Sequence, residues 1–321
     1  MYIHKKIADL KTEQQIQFIK ETFLSGLKKE LNLHSVFAPL YVKTGTGIND
    51  DLNGIEKPVT FNSRNSNTTY TIVHSLAKWK RLRLKELAIP THEGIITNMI
   101  ALRPDESLSD IHSILVDQWD WEINIAPTDR TLSFLKETVL KIYTQLKKTE
   151  RLLSNTDNDI IPILPDEITF IHTEDLYDQY PDKTPKEREN IIAEKYKAIF
   201  LIGIGGDLVD GKPHDGRAPD YDDWSTKTSD KHAGLNGDII LWHPTLKRAF
   251  EVSSMGIRVD ADTLLRQLEI TNTNSRKELQ FHKDLLEDKL PLSIGGGIGQ
   301  SRLCMFMLRK NDIAEVQCYD N

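Results

Sequence analysis

Four side chains far apart in the chain, Arg103, Asp238, Glu251 and Arg302, are of the types that handle a nucleotide. Arginines neutralise phosphate charge and lie flat against a ring. Two carboxylates supply hard oxygen ligands for Mg²⁺, whose other ligands are waters and substrate phosphates. Arg302 closes the run Gly295-Gly296-Gly297-Ile298-Gly299-Gln300-Ser301-Arg302, where missing side chains would let a ring or phosphate approach the backbone. Taken alone, the run also reads as a Gly-rich turn before a core helix. The chain has no Gly-x-x-x-x-Gly-Lys-Ser/Thr, which excludes a P-loop, and no Gly-x-Gly-x-x-Gly after a strand. ATP would therefore be held by Arg103, Arg302 and Mg²⁺. That inventory favours attack on one phosphorus, with arginines and metal neutralising the charge.

The elements that must position these groups follow from periodicity. Thr12-Glu13-Gln14-Gln15 has the form of a capping box, and Ile16, Ile19, Phe23, Leu27 and Leu31 continue a helix over 12–31. A short strand over 35–39 ends at Pro39, residues 44–54 form a polar loop, and 62–67 a hairpin tip. His74 to Arg81 opens a basic helix that, standing alone, reads as a solvated face. Strands over 94–102 and 112–122 flank a charged loop that begins after Arg103. Alternation puts Gln118, Asp120 and Glu122 on one face of the second strand and Trp119 and Trp121 on the other. The tryptophans imply a covered sheet, and the polar face a site floor with a lid. Helices follow over 131–154 and from Thr184, with strands over 168–172 and 198–204. Residues 207–237 are irregular, and an irregular stretch of that length is usually functional. Strands over 238–242 and 248–253 bring Asp238 and Glu251 together, and helices over 261–271 and 276–286 lead to the glycines. Hairpins interrupted by helices indicate an α+β fold with a large antiparallel sheet flanked by helices, and residues 1–321 form a single domain.

With 321 residues, 39% hydrophobic and 28% charged, the composition is that of a globular protein. A net charge of −7 without a Lys/Arg block argues against nucleic acid. No signal peptide or membrane-spanning run is visible. Two cysteines, Cys304 and Cys318, in no Cys-x-x-Cys pair leave no disulfide framework or structural zinc. These features predict a cytoplasmic protein.

Longer strings carry a resemblance. Arg103 and its loop resemble motif 2 of the class II aminoacyl-tRNA synthetases, Gly297-Ile298-Gly299-Gln300-Ser301-Arg302 resembles motif 3, and the strand ending at Pro39 resembles motif 1, a dimer-interface element. His74-Ser75-Leu76-Ala77-Lys78-Trp79-Lys80, Ala101-Leu102-Arg103-Pro104-Asp105-Glu106 and Val116-Asp117-Gln118-Trp119-Asp120-Trp121-Glu122 resemble the ammonia-dependent (A-type) asparagine synthetases, or aspartate–ammonia ligases. So do Arg217-Ala218-Pro219-Asp220-Tyr221-Asp222-Asp223-Trp224-Ser225 and Ser253-Ser254-Met255-Gly256-Ile257-Arg258-Val259-Asp260.

The resemblance implies a class II synthetase-like catalytic fold, a homodimer, and asparagine synthesis from L-aspartate, ammonia and ATP through β-aspartyl-AMP. It implies Arg103 on the α-phosphate, Arg302 on adenine, and Asp238 and Glu251 on Mg²⁺. It places Ser75, Lys80, Gln118, Asp120 and Asp222 in the amino-acid pocket, with Ser254 and Arg258 facing nucleotide and amino acid. Asp50 joins that pocket and, with Arg103 and Gln118, makes up the candidate catalytic set; Asp50 is the expected base for ammonium. Two departures are a tail ending at Asn321, shorter than the family suggests, and the segment 62–67. A tRNA synthetase would need an anticodon-binding domain or basic surface, and a glutamine-dependent synthetase a cysteine near the N-terminus, where position 2 is Tyr2. A binding paralogue would have no reason to keep Arg103, Asp238, Glu251 and Arg302 together.

Overall fold

The computed structural model describes residue 7 and residues 9–49 and 57–317. Helix α1 (Leu10–Glu30) is capped by Asp9, whose side chain accepts from Thr12 N at 2.7 Å, so Thr12 lies inside the helix and not at its cap. Strand β1 (Leu33–Ser35) is shorter than expected and stops four residues before Pro39. β2 (Tyr41–Lys43), β3 (Thr60–Asn62) and β4 (Thr69–Ile72) form a small sheet in the order β2-β4-β3, with the expected hairpin tip between β3 and β4. α2 (Ala77–Glu86), β5 (Gly94–Leu102), β6 (Leu115–Asn124), α3 (Leu132–Thr156) and β7 (Thr169–His172) follow. α4 (Thr173–Gln179) was not signalled by periodicity. α5 (Pro185–Tyr196) has the expected capping box between Thr184 and Glu187. The chain continues through β8 (Ala198–Ile202), β9 (Asn236–His243), β10 (Arg248–Ile257), α6 (Ala261–Ile270), α7 (Gln280–Leu286), β11 (Ser293–Gly299) and α8 (Gln300–Met307).

Among the described residues, an eight-stranded sheet runs β1-β5-β6-β11-β10-β9-β8-β7. The strands from β5 to β8 pair antiparallel, as expected, while β1 and β7 add in parallel at the two edges, so the sheet is mixed. One face is buried under α1, α3 and α8. Phe23 of α1 meets Trp119 at 5.1 Å between ring centroids, and Trp121, Met255 and Phe250 share the same core. On the other face, Val42, Val73 and Leu76 cover the β5 side together with Met99 and Ala101. Leu176, Ile192 and Ala193 cover the β8 side. Burying these apolar side chains stabilises the layers by roughly 25 cal/mol per Å² removed from water. Between the two covers, the middle strands are left to polar side chains. No helix of the described residues is long and apolar enough to cross a membrane.

Candidate active site

A cavity of about 460 Å³ opens over these middle strands. Strand register aligns Asp120, Gly297, Ser254 and Asp238 across β6, β11, β10 and β9, and Glu122, Gly295, Gly256 and Asn236 one pleat away. Residues opposite one another in a ladder share a face, so a single row of the sheet brings residues from both ends of the sequence to the cavity. A bulge between Glu251 and Ser253 keeps Glu251 in register with Ile240 and thus on the face of Asp238. The glycine run is the central strand β11 itself, not a turn.

At the β6 side, Lys80 Nζ donates to Asp120 Oδ1 at 2.5 Å and to Gly296 O at 2.9 Å, and lies 3.8 Å from Glu122 Oε2. Helix α2 is therefore not a solvated basic face. Lys78, Lys80 and Arg81 are all buried, and Arg81 donates to the carbonyls of Val259 and Pro291 at 2.6 and 2.8 Å. Arg258 grips Glu122 through Nε–Oε1 at 2.9 Å and Nη2–Oε2 at 2.8 Å, and also donates to Asp222 Oδ1. Burial alone would raise the Glu122 carboxyl, but Arg258, Lys80 and Ser293 outweigh it and hold it below its ordinary value. Burial would likewise lower the Arg258 guanidinium, and the two carboxylates push it upward instead. The second oxygens, Asp120 Oδ2 and Asp222 Oδ2, are buried without a hydrogen-bond partner among the described residues. A ligand ammonium is the kind of group that satisfies such oxygens.

At the β9 side, Arg217 Nη2 donates to Asp238 Oδ1 at 2.5 Å while its Nε lies 3.6 Å from Asp222 Oδ2, so one guanidinium spans both charge clusters. Asp238 is pushed up to about 7, first by burial and further by the Glu251 carboxylate, against the pull of Arg217. A divalent cation between the two carboxylates would relieve that cost, so Asp238 and Glu251 are the residues that could hold one. No cluster of three or more His, Cys, Asp or Glu side chains suited to a metal occurs among the described residues. Arg302, in the first turn of α8, donates to Glu251 O at 3.1 Å. Arg103 follows β5, donates to His74 O at 3.3 Å and leaves its Nε without a hydrogen-bond partner among the described residues.

Ser75, Gln118 and Ser254 also line the cavity. The expected residues thus meet there, except Asp50, which lies outside the described residues. Sequence reasoning did not assign Glu122, Arg217 or Tyr221 to the site. Glu122 continues the alternation of Gln118 and Asp120 and was within reach of that signal. Arg217 and Tyr221 sit in the irregular loop over 207–237, which sequence marks as functional but whose lack of period does not say where single side chains go.

The model of the aspartate-ammonia ligase family matches residues 10–320. This chain belongs to the aspartate–ammonia ligase family. It is 55% identical over 309 residues to the aspartate–ammonia ligase of Malacoplasma penetrans (strain HF-2), covering 96% of this chain and 92% of that protein. Its identity to the aspartate–ammonia ligase of Parabacteroides distasonis is 54% over 307 residues, covering 95% and 89%. It is a ligase that makes asparagine from aspartate and ammonia. By structure it is similar to the asparaginyl-tRNA synthetase of Pyrococcus horikoshii complexed with asparaginyl-adenylate. The TM-score is 0.70 at 15% identity, over 95% of this chain and 68% of that one. The aspartyl tRNA synthetase of Entamoeba histolytica gives a TM-score of 0.62 at 12% identity, over 95% and 58%. At such identities the likeness shows the fold alone, that of the class II aminoacyl-tRNA synthetases.

Proposed function

We propose that this ligase works by adenylate chemistry in the cavity over the middle strands, as a single catalytic domain. An oxygen of the aspartate β-carboxylate attacks the α-phosphorus of ATP, and the bond to pyrophosphate breaks. Ammonia then attacks the acyl carbon of β-aspartyl-AMP, the C–O bond to AMP breaks, and the nitrogen gives up a proton. The observation that carries this reading is Arg217, which ties the Lys80–Asp120–Glu122–Arg258–Asp222 cluster to the Asp238–Glu251 pair. The first cluster suits an amino acid: Asp120 and Asp222 accept from the α-ammonium, and Lys80 or Arg258 meets a carboxylate, with Ser75, Gln118 and Ser254 completing the lining. The second suits a triphosphate: Asp238 and Glu251 would hold Mg²⁺, which when bound neutralises phosphate charge. Arg103 and Arg217 stabilise charge developing at the α-phosphate, and Arg302 stacks on adenine. Asp50 takes the ammonium proton in this scheme, and Asp50→Asn then alters the ammonia concentration dependence.

The test is turnover with aspartate labelled with ¹⁸O in the β-carboxylate. Equal asparagine and AMP, with one ¹⁸O in each AMP, is the expected result. ADP, or unlabelled AMP, would overturn the adenylate route. The asparaginyl-adenylate of the Pyrococcus horikoshii complex supports the reading by analogy of fold. We also propose a homodimer formed through the segment after β1.

A further inference from the structure

Behind the proposed aspartate end lies a charge cluster that neither half-reaction uses. Asp220 is 0% exposed. Its Oδ2 accepts from Lys78 Nζ at 3.0 Å, Arg276 Nη1 at 2.9 Å and His282 Nε2 at 3.0 Å. Lys78 and His282 are themselves buried. Burial would raise the Asp220 carboxyl, yet Lys78, His282 and Arg276 hold it far below the usual carboxylate range. Buried ions of this kind gain little over apolar packing of the same volume, so stability alone does not account for the cluster.

Lys78 and Asp220 belong to segments that reach the cavity, and His282 is linked to it through the loop of Gly47. Lys78 lies on α2 between Ala77 and Lys80, both of which line it, and Asp220 directly precedes Tyr221 and Asp222. His282 and Leu279 pack under Gly47, where an added Cβ would come within 3.3 Å of His282 Nδ1 and 2.8 Å of Leu279 Cβ. The loop of Gly47 is tied in turn to the chain before Ser75, because Asn49 Oδ1 accepts from His74 N at 2.9 Å. The cluster therefore joins α2, the Asp222 loop and the loop of Gly47. It includes no residue of β9, β10 or α8, which carry Asp238, Glu251 and Arg302.

We infer that Asp220 is a positioning residue for aspartate, its one carboxylate oxygen setting the distance between Asp222 and Lys80. The inference rests on assigning the Lys80–Asp120–Asp222–Arg258 end of the cavity to aspartate.

The experiment compares Asp220→Asn and the charge-neutral pair Lys78→Met/Asp220→Asn with the unaltered enzyme, varying aspartate and Mg-ATP separately. Both variants are expected to lose roughly tenfold to a hundredfold in kcat/KM for aspartate through a raised KM, as misplacement of a binding group does, with the KM for ATP unchanged. The double variant leaves no buried lysine without its counter-charge, so it decides the matter if the single variant folds poorly. A parallel rise of both KM values, or a fall in kcat alone that tracks the folded fraction, would overturn the inference. Asp222→Asn is measured alongside. If it leaves the aspartate KM unmoved, the assignment of the aspartate end is wrong. If it raises that KM while the Asp220 variants do not, only the positioning role is wrong.

Discussion

Glu122 is buried, yet Arg258 holds both its oxygens, Ser293 Oγ donates at 2.7 Å and Lys80 stands 3.8 Å away. Its folded-state pKa lies below the ordinary carboxylate value of 4.5. The ion pair's contribution to stability is therefore present above pH 4.5 and lost as pH falls through the lowered value. Removing one partner of a buried pair costs about 3–5 kcal/mol, because the other is left uncompensated. We expect Glu122→Gln to lose that much in urea unfolding at pH 7, and the gap to the unaltered protein to narrow below pH 4.5. A gap that stays constant with pH would mean that packing, not charge, holds Glu122. Cys304 sits at the other extreme: buried in the core, with its thiol pushed up to about 12 by burial, it fills space without reactivity. That role is the ordinary one for a lone cysteine in an apolar run.

At the scale of elements, β11 changes what its glycines mean. From sequence they are a floor for a planar ring. In the structure none of Gly295, Gly296, Gly297 and Gly299 has positive φ, so conformational freedom is not what they provide. Gly296, Gly297 and Gly299 line the cavity, but above Gly295 and Gly297 the space is taken by the protein's own side chains. A Cβ on Gly295 would overlap the Glu122 carboxylate and come within 2.7 Å of Arg258 Nη2, and one on Gly297 would overlap Gln118 Oε1. Gly295→Ala must displace a buried ion pair, whereas Gly297→Ala has only the end of one neutral side chain to move. Gly295→Ala should therefore cost about 1–3 kcal/mol as an overpacking substitution and raise the aspartate KM, and Gly297→Ala should cost less. Thermal unfolding and aspartate titrations of the two variants check the order. The basic helix α2 follows the same logic. Its charge pattern resembles that of a solvated face, but Lys78, Lys80 and Arg81 point inward to carboxylates and carbonyls supplied by β6, β11, the Asp222 loop and the chain after β10.

At the scale of the molecule, the chain after β1 leaves Phe37 99% exposed, and Leu40, Tyr41 and Phe61 nearby in the sequence or the small sheet are exposed as well. Large aromatic side chains at interfaces commonly contribute most of the association energy. If this face forms the proposed dimer, Phe37→Asp should weaken association by about 2 kcal/mol or more, seen as a shift toward the smaller species in sedimentation velocity. An unchanged sedimentation profile would place the interface elsewhere. The cavity is lined by residues of one chain, so the isolated subunit should keep the proposed site together.

The periodic elements are legible in the sequence, because helical and strand periodicity are local properties of the backbone. The stripe of α1, the alternation of Gln118, Asp120 and Glu122 against Trp119 and Trp121, and the capping box at Thr184 all appear where the residues put them. The ends of elements were less legible. Asp9 outcompetes Thr12 as a cap, and strand β1 stops at Ser35, because each boundary depends on which partner is at hand. The alignment of Asp120, Gly297, Ser254 and Asp238 required the register of four strands. The placing of Glu251 beside Asp238 required a bulge that no local pattern announces. Arg217 and Asp220 gained their partners through an aperiodic loop folded over the sheet. Side-chain type and spacing act over a few residues. Which charges meet is set by packing between segments up to about two hundred residues apart, and that is a property of the assembled sheet.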